Sequence, residues 1–92
     1  MTWILVYNQA VNWESPSYQS KSLAYSKQIK SGDKVLMSRN GMIVGEAFVN
    51  GDPNTWDNLV LSLAGIKQVQ PYATNTVGRP YAPITPANEG AL

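Results

Sequence analysis

The dipeptide Asn40-Gly41 constrains this chain more than any other feature. It stands between two runs of strand-forming residues, 34–39 and 42–49. Asn-Gly favours a two-residue hairpin turn, because both central residues of that turn need a positive φ. A two-residue loop sets a register in which Arg39 faces Met42, Ser38 faces Ile43, Met37 faces Val44, Leu36 faces Gly45 and Val35 faces Glu46. Apolar side chains then fall on both faces of the hairpin, so a curved sheet or small barrel is expected. Gly45 inside the second strand marks a bend, a bulge or a close approach to the backbone.

The remaining elements arrange themselves around this hairpin. Trp3-Ile4-Leu5-Val6-Tyr7 is continuously apolar and ends at Asn8-Gln9, as expected of a central strand covered on two sides. Ser15-Pro16 supplies a capping hydroxyl followed by a proline at the first helical position. Tyr18, Ser22, Tyr25 and Ile29 then recur at helical spacing, which predicts a helix over 16–30 ending near Ser31-Gly32. After the turn cluster at 50–54, Trp56, Leu59, Val60, Leu63 and Ala64 predict a second helix, with Thr55 as its cap and Gly65 as its stop. A strand beginning at Leu59-Val60-Leu61 is the other reading of that segment. Residues 66–72 alternate as a strand. The fold class expected is α+β: a small curved sheet or partly open β-barrel with one or two helices, in one domain over 1–77. Pro80, Pro83, Pro86 and Gly90 make residues 78–92 an extended tail.

Composition enters where chemistry is at stake. With no cysteine and no histidine, zinc fingers, thiol chemistry and every histidine-based triad are excluded. Glu14, Asp33, Asp52 and Asp57 fall in turns or at caps, and Glu46 is the one acid inside the hairpin, so no paired-carboxylate centre is indicated. No glycine-rich phosphate loop is present. A non-enzyme without metal or cofactor is therefore expected. The formal charge of +1 gives no strong pull towards nucleic acid or membrane. The balance is uneven, however: Lys21, Lys27, Lys30, Lys34 and Arg39 are offset between residues 21 and 39 by Asp33 alone. Without a leader pattern or a long apolar run, the sequence reads as soluble and cytoplasmic.

Binding has better material than catalysis. Tyr7 closes the first strand, Trp13 lies in the loop after it and Trp56 follows the 50–54 turn, all near Asn, Gln or Ser. An aromatic beside amides suits stacking on a planar ligand whose polar edge is read by the neighbours. The same tryptophans could equally fill a small core, and Trp3 is expected to do so.

The run Trp3-Ile4-Leu5-Val6-Tyr7-Asn8, then Trp13, then Ile29-Lys30-Ser31-Gly32-Asp33-Lys34-Val35-Leu36, then Ile43-Val44-Gly45-Glu46-Ala47-Phe48-Val49 resembles the opening half of the EVE domain. That domain belongs to the PUA-like group, together with YTH and ASCH domains. The resemblance covers about the first 50 residues. The family commonly carries Asn-Pro where this chain has Asn8-Gln9. It implies a PUA-like or SH3-like barrel and a non-catalytic reader that takes a nucleobase, including modified bases, into an aromatic pocket. It also implies Tyr7, Asn8 and Trp13 at that pocket, which Trp56 joins on the aromatic argument, and Lys27, Lys30 and Arg39 as phosphate contacts. Low charge and a proline-rich tail keep a second class open. In it the chain is a small protein-interaction or inhibitor domain, of phage or mobile-element type, that blocks a partner or forms a homo-oligomer.

Overall fold

A computed structural model describes residues 2–7, 9–14, 17–21, 27–73 and 84–86. Six strands, β1 (Thr2–Val6), β2 (Ser17–Ser20), β3 (Lys34–Arg39), β4 (Met42–Val49), β5 (Leu59–Tyr72) and β6 (Ile84–Pro86), form one sheet in the order β2-β5-β4-β3-β1-β6. β1 and β3 pair in parallel, and the other neighbours are antiparallel. The sheet curls into a half-barrel. Its curl is visible in one contact: the Tyr18 hydroxyl of edge strand β2 donates to the Val6 carbonyl of β1 at 3.1 Å, although three strands separate them in the sheet.

Alternation along the strands sorts the apolar residues onto two faces. Trp3 and Leu5 of β1, Val35 and Met37 of β3, and Ala47 and Val49 of β4 point to the concave side. There they join Tyr18, Ile29 and the three leucines Leu59, Leu61 and Leu63 of β5 in the main core. Ile4, Leu36 and Ile43 form a second buried cluster on the convex side, where Val69 packs against them. The doubly apolar first strand and hairpin are thus explained. Both of their faces are covered.

The hairpin turn is as the sequence demands, with Asn40 at φ 53° and Gly41 at φ 81°. Arg39 pairs with Met42 and Ser38 with Ile43, as expected. Beyond them a bulge at Val44 shifts the register, so that Met37 faces Gly45, Leu36 faces Glu46 and Val35 faces Ala47. Val44 shares the main-core side with Met42 by ordinary alternation, and the bulge brings Gly45 and Ala47 onto that side as well. Two further shifts bend β5 along β4.

The α+β expectation is overturned. Among the described residues there is no helix. The segment expected as the first helix opens instead with β2, in which Tyr18 and Ser20 are buried and Ser17 and Gln19 exposed. It ends in a turn at 27–28, and residues 15–16 and 22–26 lie outside the described set. Serines at 17 and 20 offer a helix little intrinsic support, and pairing with Leu59–Ser62 supplies the strand its hydrogen bonds.

The second expected helix is the first half of β5. A helix would put Leu59 and Leu63 on one face and Leu61 on the far side, whereas a strand buries all three. A fully buried leucine is worth about 2 kcal/mol, more than the helix propensity of one residue can return. The strand wins. Ile84–Pro86, within the segment expected as an extended tail, pairs with Trp3–Leu5, and the rest of 78–92 lies outside the described residues.

Candidate functional site

The loop after β1 brings Trp13 onto the concave side of the hairpin, where it packs against the main core while remaining half-buried. Its indole rests on Gly45. A Cβ built at that glycine would fall 2.6 Å from Trp13 Cη2, 2.7 Å from Cζ3 and 3.0 Å from Met37 Sδ, so no larger residue fits beneath the ring. Of the three meanings open to Gly45, two hold together. It follows the bulge and it accepts a close approach.

Beside the indole opens a cleft of about 400 Å³. Trp13, Ala10 and Val11 line it from the loop, and Arg39, Asn40, Met42 and Val44 from the hairpin. Pro71 of β5 completes it. Arg39 and Met42 share the cleft because the turn pairs them across the two strands, and Val44 joins as the next residue on the same side of β4 as Met42. The lining is apolar apart from Arg39 and Asn40. Arg39 is half-buried, and its guanidinium has no hydrogen bond or ion pair among the described residues.

Tyr7, also on the concave side, does not line the cleft. Its ring meets Tyr18 edge-on, with centroids 5.0 Å apart and planes at 66°. Its hydroxyl is buried with no hydrogen-bond partner among the described residues. Burial pushes the Tyr7 phenol far above its ordinary value, and neighbouring Tyr18 adds to the effect. Burial also raises Tyr18 to about 12, against the opposing hydrogen bond with Ser20.

The other expected site residues lie elsewhere. Lys27 and Lys30 are exposed in the segment leading into β3, at the far end of that strand from Arg39. Six strand residues separate the two ends by roughly 17 Å. Trp56 belongs to the loop that leaves β4 at this same far end, held by its backbone N–H donating to Asn54 Oδ1 at 3.1 Å, and it is 87% exposed. Asn8 lies outside the described residues. The expected set is therefore divided: Trp13 and Arg39 come together, and Lys27, Lys30 and Trp56 stand apart from them.

Residue order at the far end is set by Asp33. Its carboxylate accepts from the Trp3 indole N–H at 3.0 Å and from the Lys30 backbone N–H at 3.0 Å. Desolvation alone would raise this carboxyl, but favourable interactions of the carboxylate, with the Trp3 and Lys30 hydrogen bonds foremost among them, bring the group below its ordinary value. Lys34 is occupied by Glu46 at 3.1 Å. No group of three or more acids that could hold a metal ion exists among the described residues.

Sequence reasoning missed Ala10, Val11, Asn40, Met42, Val44 and Pro71 as cleft residues. Cross-strand pairing in the hairpin already put Met42 beside Arg39, so that contact was open to inference. The position of Pro71 depends on the register shifts in β5, which nothing local announces. Comparison with family models, with characterised proteins and with solved structures gives no match to this chain.

Proposed function

We propose that this chain is a non-catalytic binding module that holds a nucleobase or nucleotide-like ligand against Trp13. The observation that carries the reading is the half-buried indole, fixed on Gly45 at the wall of an open cleft, beside a guanidinium that has no partner among the described residues. Stacking of a base on an aromatic is worth about 1–3 kcal/mol, and an apolar lining with few polar groups is what such sites use. Arg39 is the one titratable side chain among the described lining residues, and a guanidinium that stays protonated supplies no proton transfer. The resemblance of the first half of the chain to EVE domains supports the same class of ligand.

The test is tryptophan fluorescence in a Trp56→Phe background, titrated with nucleosides, nucleotides and short single strands. A saturable change that disappears in Trp13→Ala is expected. No response to any of these ligands ends the proposal.

A second reading rests on a different observation. Trp56 is 87% exposed and Phe48 48% exposed, both away from the cleft, as side chains that meet another protein often are. Sedimentation of the wild type and of Trp56→Ser over a concentration series tests it. Association that the substitution removes is expected if this surface makes the contact.

A further inference from the structure

Arg39 narrows the ligand class. This step rests on the proposed binding at Trp13 and adds to it the charge and size of what binds. Arg39, half-buried as a residue and with no carboxylate or carbonyl partner among the described residues, retains five donors in a planar fork. An anion that approaches along the fork gains short, charge-assisted hydrogen bonds in bidentate geometry. No described cleft residue carries a negative charge, so nothing there competes with an anionic ligand or favours a cationic one.

A polymer would need more. A nucleic-acid strand is held through successive phosphates, each calling for its own cation. Lys27 and Lys30 are at the other end of β3, Lys21 follows β2 beside the start of β5, Lys34 is already paired with Glu46, and Lys67 stands opposite that same Glu46 in the sheet. The described surface therefore offers one phosphate site and no track leading from it. The cleft volume falls within the range of small-ligand sites.

We infer that the cleft takes a monomeric planar ligand carrying a single phosphate monoester, its ring on Trp13 and its phosphate on Arg39, in preference to a nucleic-acid strand. Met42, Val44 and Pro71 give the ring its apolar surroundings, and the Asn40 side chain lies at the cleft edge to meet a polar substituent.

The experiment uses the full chain with Trp56→Phe and compares the common nucleoside monophosphates, the matching nucleosides and a short mixed-sequence single strand. At least one monophosphate should bind about tenfold or more tightly than its nucleoside, the return of one charge-assisted contact. Arg39→Gln should remove that advantage, bringing the monophosphate down to the affinity of its nucleoside, while Arg39→Lys should retain part of it. Nucleosides that bind as well as monophosphates, with Arg39→Gln without effect on either, overturn the anion assignment while leaving the planar ligand intact. A single strand that binds more tightly than any monophosphate, with a salt dependence of several released counterions, overturns the monomer assignment. If no probe binds and Trp13 fluorescence is unmoved, the binding reading itself falls. Unchanged circular dichroism in Arg39→Gln assigns its effect to the cleft, and a parallel loss of nucleoside binding counts against the inference.

Discussion

Trp13 occupies the space that a side chain at Gly45 would need. The separation of 2.6 Å between a Gly45 Cβ and Trp13 Cη2 is shorter than any real packing contact, and the same Cβ would lie 3.0 Å from Met37 Sδ. Gly45 therefore serves as the seat of the indole, and the bulge at Val44 brings it there. The cleft exists because these two residues were fitted to each other.

Substitution of either residue should thus report on the other. Gly45→Ala is expected to destabilise the fold by about 1–3 kcal/mol through overpacking. In Trp13→Ala the same methyl group should be tolerated, leaving a coupling of about 1 kcal/mol or more in a double-mutant cycle. Urea denaturation of the four proteins measures it. Additive costs would show that the ring moves aside without penalty.

The strands legible in the sequence were those whose pattern is local. Asn40-Gly41 placed the hairpin and its first two pairs, and the doubly apolar Trp3–Tyr7 segment announced a strand covered on both faces. Tyr18 and Leu59 were misassigned for one physical reason. Residues four apart, such as Leu59 and Leu63, fall on one side in a helix and in a strand alike, and the arbiter is the pairing of Ser17–Ser20 with Leu59–Ser62, about 40 residues apart in sequence. Nothing in either segment alone encodes that partnership, although the Leu59, Leu61, Leu63 alternation was open to view. Trp13 with Arg39 could be suspected from a loop and a turn, whereas the separation of Lys27, Lys30 and Trp56 from them follows only from the direction in which β3 runs.

The two surface-accessible tryptophans should separate cleanly. Trp56→Ser, at a side chain 87% exposed, is expected to change stability by no more than about 0.5 kcal/mol. It should sharply reduce the fraction of fluorescence quenched by acrylamide and leave nucleotide binding unaltered. Trp13→Ala should instead weaken ligand binding by about tenfold or more, the loss of one stacking face. Equal effects on binding from both substitutions would place the ligand somewhere other than the cleft.

Asp33 predicts an acid-sensitive fold. Its carboxyl sits below the ordinary value of 3.8 in the folded chain, brought there foremost by hydrogen bonds from the Trp3 indole and the Lys30 backbone N–H. The unfolded chain therefore takes up the proton first, so this contribution is full above about pH 4 and is lost as pH falls through the lower folded value. Asp33→Ala removes an acceptor for the N–H of a fully buried tryptophan and should cost about 1–3 kcal/mol at neutral pH. Its stability should also fall less steeply than that of the wild type between pH 5 and pH 2, the window bracketing the usual aspartate value. Thermal melts across that range decide the matter, and parallel curves would remove Asp33 from the account.

The paired tyrosines should respond in opposite directions to the same substitution. Tyr18 donates to the Val6 carbonyl and so ties β2 to β1 across the concave side, whereas the buried Tyr7 hydroxyl has no partner among the described residues. Removing the Tyr18 hydroxyl as Tyr18→Phe should destabilise the fold by about 1 kcal/mol. Tyr7→Phe removes a buried polar atom that bonds to none of the described residues and should be neutral or stabilising, because the desolvation cost disappears with the oxygen. Both phenols are raised in the folded chain, Tyr18 to about 12 and Tyr7 further still, from an ordinary value of 10.0. The unfolded chain thus loses these protons first, and their contribution, present below pH 10, is lost as pH rises through the folded values. Alkaline unfolding followed by circular dichroism should accordingly begin above about pH 10 and shift to higher pH in Tyr7→Phe. A Tyr7→Phe protein less stable than the wild type at neutral pH would mean that its hydroxyl is bonded after all, and the contrast between the two rings would be lost.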